Sequence, residues 1–432
     1  MIFENNLAFA KNLDQNDPIG HMRNEFLFPQ QNGEPFIYLC GNSLGLQPKT
    51  ARAVLDRQMT NWENLAVEGW FRGETPWMFY QRELKKLIAP LVGAHPDEVS
   101  PMNTLTVNLH LLMVSFYKPN KNRFKIIMEA GAFPSDQYAI ETQVRFHGYD
   151  PKEAIIEVSP REGEYTLRTE DIVSAIKDNG NEIALVLFGG VNYFTGQLYD
   201  MEAITKTGHA IGAVVGFDLA HAAGNVPLQL HDWGVDFACW CSYKYQNSGP
   251  GGISAIFVHE KHFNDKSLNR FAGWWGYEAA RRFKMEKGFV PEIGADGWQL
   301  SGAQIMPMAL YHASLQMFEK VGFMTPLRAK SKMLTAYFCY ILNEVNHQLG
   351  EEQYKVITPL TEEDRGAQLS IVAKENGKQI FEHLVANNVL GDWREPNVIR
   401  LSPVPLYNSF EDVFETGKLL LSVCKELNYS KA

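Results

Sequence analysis

Five short, nearly unbroken apolar runs between residues 100 and 300 constrain this chain more than anything else in it. They are Phe124 to Met128 (FKIIM), Ile183 to Phe188 (IALVLF), Ala213 to Asp218 (AVVGFD), Phe237 to Tyr243 (FACWCSY) and Ile253 to Val258 (ISAIFV). A strand with one wet face alternates apolar and polar residues. These runs do not alternate, so both of their faces must be covered. Helix-length polar stretches separate most of them, and Pro134-Ser135-Asp136 has the composition of a helix start. The pattern predicts a mostly parallel sheet wrapped by helices. The last two runs stand too close for a helical crossover, which leaves one of them free to run antiparallel.

The texture changes after Pro307. A long helical segment, Leu327 to His347, precedes two short strands, Tyr354 to Ile357 and Gln368 to Val372. A helix (Lys378 to Asn387), a strand (Val398 to Leu401) and a final helix follow, which makes an α+β module. A chain of 432 residues outgrows a single core. The expected organisation is an N-terminal segment, 1–65, packing with the small domain, then a large domain, 66–306, and a small C-terminal domain, 307–432.

Composition excludes several functions. The chain is 45% hydrophobic and 21% charged, as globular proteins are, and its net charge of −10 comes with both signs interspersed and no basic block. Neither a nucleic-acid groove nor an anionic membrane surface is an expected partner. Met1-Ile2-Phe3-Glu4-Asn5-Asn6 lacks the charged and apolar regions of a signal peptide, and no run approaches the roughly 20 apolar residues of a spanning helix. Five scattered cysteines form no CxxC pair and no zinc spacing. We therefore expect no disulfide framework, no metal site and a cytoplasmic location.

Candidate chemistry gathers at strand ends. Lys244 follows an apolar run and precedes a glycine-rich turn, Ser248-Gly249-Pro250-Gly251-Gly252, which is where open α/β sheets place ligands. On position alone, a surface lysine marking the exit from the core is the commoner reading. Asp218 also ends an apolar run; it reads as a ligand carboxylate or as the N-cap of a helix through Leu219-Ala220-His221. Asn103-Thr104-Leu105-Thr106 reads as a helix start whose free N–H groups and hydroxyls can hold an anion, although most such starts hold nothing. Phe133 is either core or an aromatic face over a ligand ring, with Asp136 beside it.

Read together, these segments resemble the kynureninases, within the larger class of aminotransferase-like pyridoxal-phosphate enzymes. The motifs run in family order from residue 38 to 410: LCGNSLGLQP at 39–48, LTVNLH at 105–110, FPSD at 133–136, DLAH at 218–221, WCSYKY at 240–245, Gly273-Trp274 and RLSPVPLYNSF at 400–410. Lys244 stands 26 residues after Asp218, a separation shared with the fold-type I class. The resemblance implies that fold, with a mostly parallel seven-stranded sheet in the large domain and a smaller α+β domain. It implies hydrolysis of L-kynurenine, or its 3-hydroxy relative, to an anthranilate and L-alanine in tryptophan catabolism.

It also assigns residues. Lys244 would attach the cofactor and shuttle the substrate's α-proton. Asp218 would pair with the pyridine nitrogen, with Asp136 nearby, Phe133 over the ring and His221 in the pocket. Leu105, Thr106 and Tyr243 would hold the phosphate, and Tyr243 would also protonate a carbon late in the reaction. Arg400 would clamp the substrate carboxylate, a task suited to a planar bidentate donor. Ser43 and Trp70 would lie by the aryl end. Trp274 would reach the phosphate of a neighbouring subunit, which implies a homodimer with shared sites. Gly189 and Gly302 depart from the pattern, standing where relatives carry serine and asparagine or threonine. Gly302 thus keeps only its backbone for the cofactor, which leaves aryl selectivity open.

Overall fold

The computed structural model describes residues 2–429. Seven strands form its large sheet: β1 (Val99–Pro101), β2 (Lys125–Glu129), β3 (Ile155–Val158), β4 (Ile183–Gly189), β5 (Val214–Asp218), β6 (Phe237–Trp240) and β7 (Ala255–Val258). Their order is β1-β7-β6-β5-β4-β2-β3. Pairs within β3-β2-β4-β5-β6 are parallel, and β7 runs antiparallel to both β6 and β1. The antiparallel strand is thus the last of the five expected runs.

The unbroken runs have a direct cause. Ile127, Val186, Val215, Phe217, Ala238 and Trp240 point into one buried cluster, while Ile126, Met128, Leu185, Leu187, Phe237 and Cys239 point into another on the opposite face. Both faces of every central strand are dry. Emptying one such site, for example by Phe237→Ala, costs about 3–5 kcal/mol.

Three details differ from expectation. The β6 ladder ends at Trp240 rather than Tyr243, and β7 starts at Ala255 rather than Ile253. Residues 219–225 form successive turns, not a helix capped by Asp218. Strands β1 and β3, at the two sheet edges, were not anticipated.

Two helices matter for the site: α1 (Leu105–Phe116), which follows β1, and α2 (Pro134–Phe146), which follows β2 and begins on its proline. Beyond residue 320, α3 (Met324–Leu349) and α4 (Phe410–Tyr429) pack against a second sheet. Its strands are β8 (Tyr354–Val356), β9 (Leu369–Ala373), β10 (Asp392–Arg394) and β11 (Val398–Leu401), all antiparallel, in the order β8-β9-β11-β10. The N-terminal segment divides between the two cores. Ala10, Leu13 and Leu39 join the core of the second sheet, whereas Ile19, Met22, Phe26 and Leu46 join the core of the first.

Candidate active site

A cavity of about 390 Å³ opens at the carboxyl ends of β2, β4 and β5. Lys244 reaches it because the chain leaves the sheet after Trp240 and folds into a pinned turn. Ser242 Oγ bonds to Ser248 Oγ at 2.5 Å, and Gly45 N donates to Tyr243 O at 2.8 Å. A Cβ on Gly45 would stand 2.3 Å from the Lys244 carbonyl oxygen, so only glycine lets the N-terminal segment lie against this turn.

Lys244 Nζ lies 3.0 Å from His221 Nε2, and 5.7 Å from the centre of the Phe133 ring. Burial, then the charges of Lys244 and Arg400, hold the His221 pKa well below its usual value, so its imidazole is neutral. With Lys244 Nζ as donor to Nε2, the imidazole proton falls on Nδ1, a buried atom without a partner.

Three carboxyl groups form the floor. Asp218 Oδ1 accepts from Ala220 N at 2.7 Å, and Asp136 lies against Asp218. Glu129, at the end of β2, accepts from Gly189 N through both oxygens at 3.1 Å. Burial pushes all three pKa values up, and the Asp218 charge pushes Asp136 and Glu129 further, Glu129 to about 7. This floor wants a cation. The departure at Gly189 has its explanation here: a Cβ would meet Glu129 Oε1 at 2.9 Å, so the glutamate fills the space a side chain would take.

The opposite demand exists at the first turn of α1. Thr104 makes no side-chain cap bond, and Thr104, Leu105 and Thr106 line the cavity. Free N–H groups and the positive end of the helix dipole face the space, as an anion site requires. Tyr243 lines the same space, and burial holds its phenol in the protonated form.

Arg400 comes from the second sheet, on β11, and is 1% exposed. Its guanidinium donates to Tyr193 O at 2.6 Å, to Ser43 Oγ at 3.2 Å and to Asp392. Asp392 also accepts from Ser43 Oγ, and from Arg394 Nη2 at 3.1 Å. Arg400 Nε and Arg394 Nε are buried and unpartnered.

Ten of the residues singled out from sequence line this one cavity: Ser43, Leu105, Thr106, Phe133, Asp136, Asp218, His221, Tyr243, Lys244 and Arg400. Trp70, Trp274 and Gly302 do not. Trp70 packs on Trp77 and Trp275, with ring centres 5.8 and 5.2 Å away, and a Cβ on Gly302 would lie 3.5 Å from Trp70. Trp274 is half exposed beside Phe283. Glu129, Asp392 and Arg394 were missed from sequence. Glu129 carried a readable signal, since it closes an apolar run just as Asp218 does. Asp392 and Arg394 carried none, because only strand pairing brings β10 beside Arg400.

Chemically, the cavity offers an amine, a neutral imidazole, a carboxyl floor for a cation, a helix end for a dianion and a guanidinium for a carboxylate. Comparison with known proteins gives a consistent picture. Residues 37–273 match the aminotransferase class-V family, and residues 327–420 match the kynureninase C-terminal domain. A kynureninase of Flavobacterium psychrophilum is 56% identical, over 97% of this chain and 98% of its own length. Those of Myxococcus xanthus and Nematostella vectensis are 50% and 48% identical, over 98% and 97% of this chain and 99% and 94% of theirs. Among solved structures, an apo cysteine desulfurase from Thermococcus onnurineus superposes with a TM-score of 0.71 at 17% identity, covering 90% of this chain and 95% of its own. A cystine C–S lyase superposes at 0.74 with 14% identity, covering 89% and 97%. These two share the fold.

Proposed function

The chain belongs to the kynureninase family, and from that premise we propose that the cavity at Lys244 cleaves the Cβ–Cγ bond of L-kynurenine with water, releasing anthranilate and L-alanine. One observation carries the reading: Lys244, Asp218 and Arg400, from two sheets and 26 to 182 residues apart, line a single cavity.

The family's cofactor, pyridoxal phosphate, fits the donor set. The uncapped end of α1 with Tyr243 would hold its phosphate, Phe133 would cover its ring, and the Asp218 floor would hold its protonated pyridine nitrogen. Bound there, it supplies an electron sink for the charge left when the substrate's α-proton departs. The chain's residues do the rest. Lys244 would anchor the cofactor through its amine, and its amine is the base placed to take the α-proton. His221 stays neutral beside it and adds no repulsion. Tyr243 Oη, firmly protonated, delivers a proton to the carbon that becomes the alanine methyl.

Arg400 binds the substrate's α-carboxylate. In the free protein Asp392 occupies that guanidinium, so substrate must displace it, and Arg394 is placed to keep Asp392 paired. Trp70 and Gly302 lie against each other outside this chain's own cavity, and we take them to shape the aryl wall of the site on a neighbouring copy. An apolar indole rewards a ring hydroxyl little and rejects it poorly. Both kynurenine and 3-hydroxykynurenine should therefore be turned over, with kynurenine modestly ahead in kcat/KM.

The single chain leaves Trp274, Phe71, Phe283, Met285 and Phe289 exposed. We take this apolar group as the contact between two copies, with Trp274 completing the neighbour's phosphate site. The location is placed in the cytoplasm, in keeping with five unpaired cysteines. Among the described residues, no helix is long and apolar enough to cross a membrane. A desulfurase reading would need an accessible reactive thiol near Lys244. Cys239 and Cys241 are buried, and burial raises their pKa.

The test is direct. Reduce the holoenzyme with borohydride, map the pyridoxyl adduct, and follow anthranilate release from kynurenine. An adduct on Lys244 with release of anthranilate and alanine is expected; an adduct elsewhere, or no cleavage, overturns the assignment.

A further inference from the structure

The opposite edge of the large sheet holds a second cluster that the proposed reaction does not use. We propose that His95, Glu98 and His231 form a site for one divalent cation of borderline softness, such as Zn²⁺. One donor atom from each lies within 4.8 Å of the others. His95 and Glu98 flank the turn that leads into the amino end of β1, and His231 lies 133 residues beyond Glu98. No spacing in the sequence announces them; the fold brings them together.

The site is built rather than accidental. Glu98 is fully buried, and both of its oxygens are oriented by the backbone: Oε2 accepts from His95 N and Oε1 from Glu260 N, each at 2.9 Å. Such outer contacts fix a ligating carboxylate. The backbone of His231 is tied to the same region by its N–H donating to Gly93 O at 3.0 Å. Its ring is held in plane by His259, stacked at 4.9 Å and 18°. His259 itself is committed, with Nδ1 accepting from Lys261 N and Nε2 bonded to His231 O. It is a wall, not a ligand. The His95 ring meets the edge of His231 at 4.2 Å and is solvent-exposed, so it can turn without disturbing the core.

Two imidazoles and one carboxylate are a zinc donor set that leaves a fourth position for water. Tetrahedral bonding would set the donor atoms roughly 3.3 Å apart, an approach for which the exposed His95 ring has room. His231 Nδ1 now bonds to Glu98 Oε1 at 2.9 Å. In the metal-bound state the neutral ring would carry its one proton on Nε2, leaving the Nδ1 lone pair for the ion. The neighbouring Asp236 is no rival site, since Lys261 Nζ already stands 2.8 Å from it. A cation at Glu98 would staple two distant segments, and being far along the sheet from Lys244, it would act on stability rather than turnover.

The test uses tag-free holoenzyme, treated with EDTA, dialysed and titrated with ZnCl₂. Expected are one ion bound per chain, a melting temperature raised by at least about 2 °C at saturation, and unchanged cofactor absorbance. His95→Ala, an exposed change that should not threaten folding, is expected to weaken binding by roughly tenfold or more while turnover stays the same. His231→Ala should do likewise. Absence of stoichiometric binding, or the same affinity in His95→Ala, overturns the site.

Discussion

The two edges of the large sheet treat buried carboxylates in opposite ways. At the amino edge, Asp236 accepts from Val215 N at 2.7 Å, from His209 and His262 at 2.8 Å, and pairs with Lys261. Those partners outweigh burial and hold its pKa far below the usual range. At the carboxyl edge, Asp218 keeps one backbone N–H and two acidic neighbours, and burial holds its pKa high. Same residue type, same sheet, same depth: one is satisfied by the fold, the other left for something the fold does not contain. Unmet electrostatic demand of this kind marks a ligand site better than depth or residue type does.

The comparison breaks if the two aspartates respond alike to the same change. Asp218→Asn should cut turnover by about 10²–10³-fold, as loss of a preorganised electrostatic partner does, because the cofactor's ring nitrogen would lose the carboxylate that keeps it protonated. The cofactor-free Asp218→Asn protein should nevertheless melt no lower than its parent. Asp236→Asn should do the reverse, lowering stability by about 3–5 kcal/mol with kcat little changed, because Lys261 loses its counter-charge and the two histidines lose their shared acceptor. The stability Asp236 provides is present above its unfolded pKa, and is lost as pH falls through the lower folded value. Thermal melts at pH 7 and pH 3 for both variants would expose any symmetry.

Glu129 sharpens the contrast with a pH axis. Its folded pKa, about 7, exceeds the usual 4.5, so the native state holds its proton more tightly and stability falls as pH rises between those values. The penalty saturates near 3 kcal/mol. Cofactor-free Glu129→Gln should gain about that much at pH 8 and almost nothing at pH 4.5. An equal gain at both would show that shape, not charge, matters there.

Smaller effects are expected at the guanidinium. Arg400→Ala should raise KM for kynurenine by one to two powers of ten, the worth of about 1.5–3 kcal/mol for a charge-assisted pair, with cofactor absorbance intact. Asp392→Asn should lower KM by roughly two- to fivefold, since substrate no longer displaces a charge. A higher KM would instead make Asp392 a support for Arg400.

Much of this was legible beforehand, for physical reasons. Central strands such as Ile183–Gly189 are dry on both faces and must be written in apolar residues. The edge strands escaped notice because they need not be: Ile155–Val158 carries Glu157, and Val99–Pro101 is three residues long and ends in proline. Lys244 and Asp218 were readable because strand ends are where topology places ligands. The pairing of Arg400 with Asp392 was not, since it depends on the register of two strands within the second sheet. Nor was the approach of His231 to Glu98, which no local pattern encodes.

The bare N-terminus of α1 has a consequence of its own. A helix without a capping side chain frays, and here the ligand's phosphate would be the cap. Amide hydrogens at 105–107 should therefore exchange with solvent much faster in cofactor-free protein than in holoenzyme, while those deeper in the helix, from the bonded N–H of Asn108 onward, hardly differ. That first turn would make the chain its own gauge of cofactor occupancy, readable by mass without any assay of the reaction.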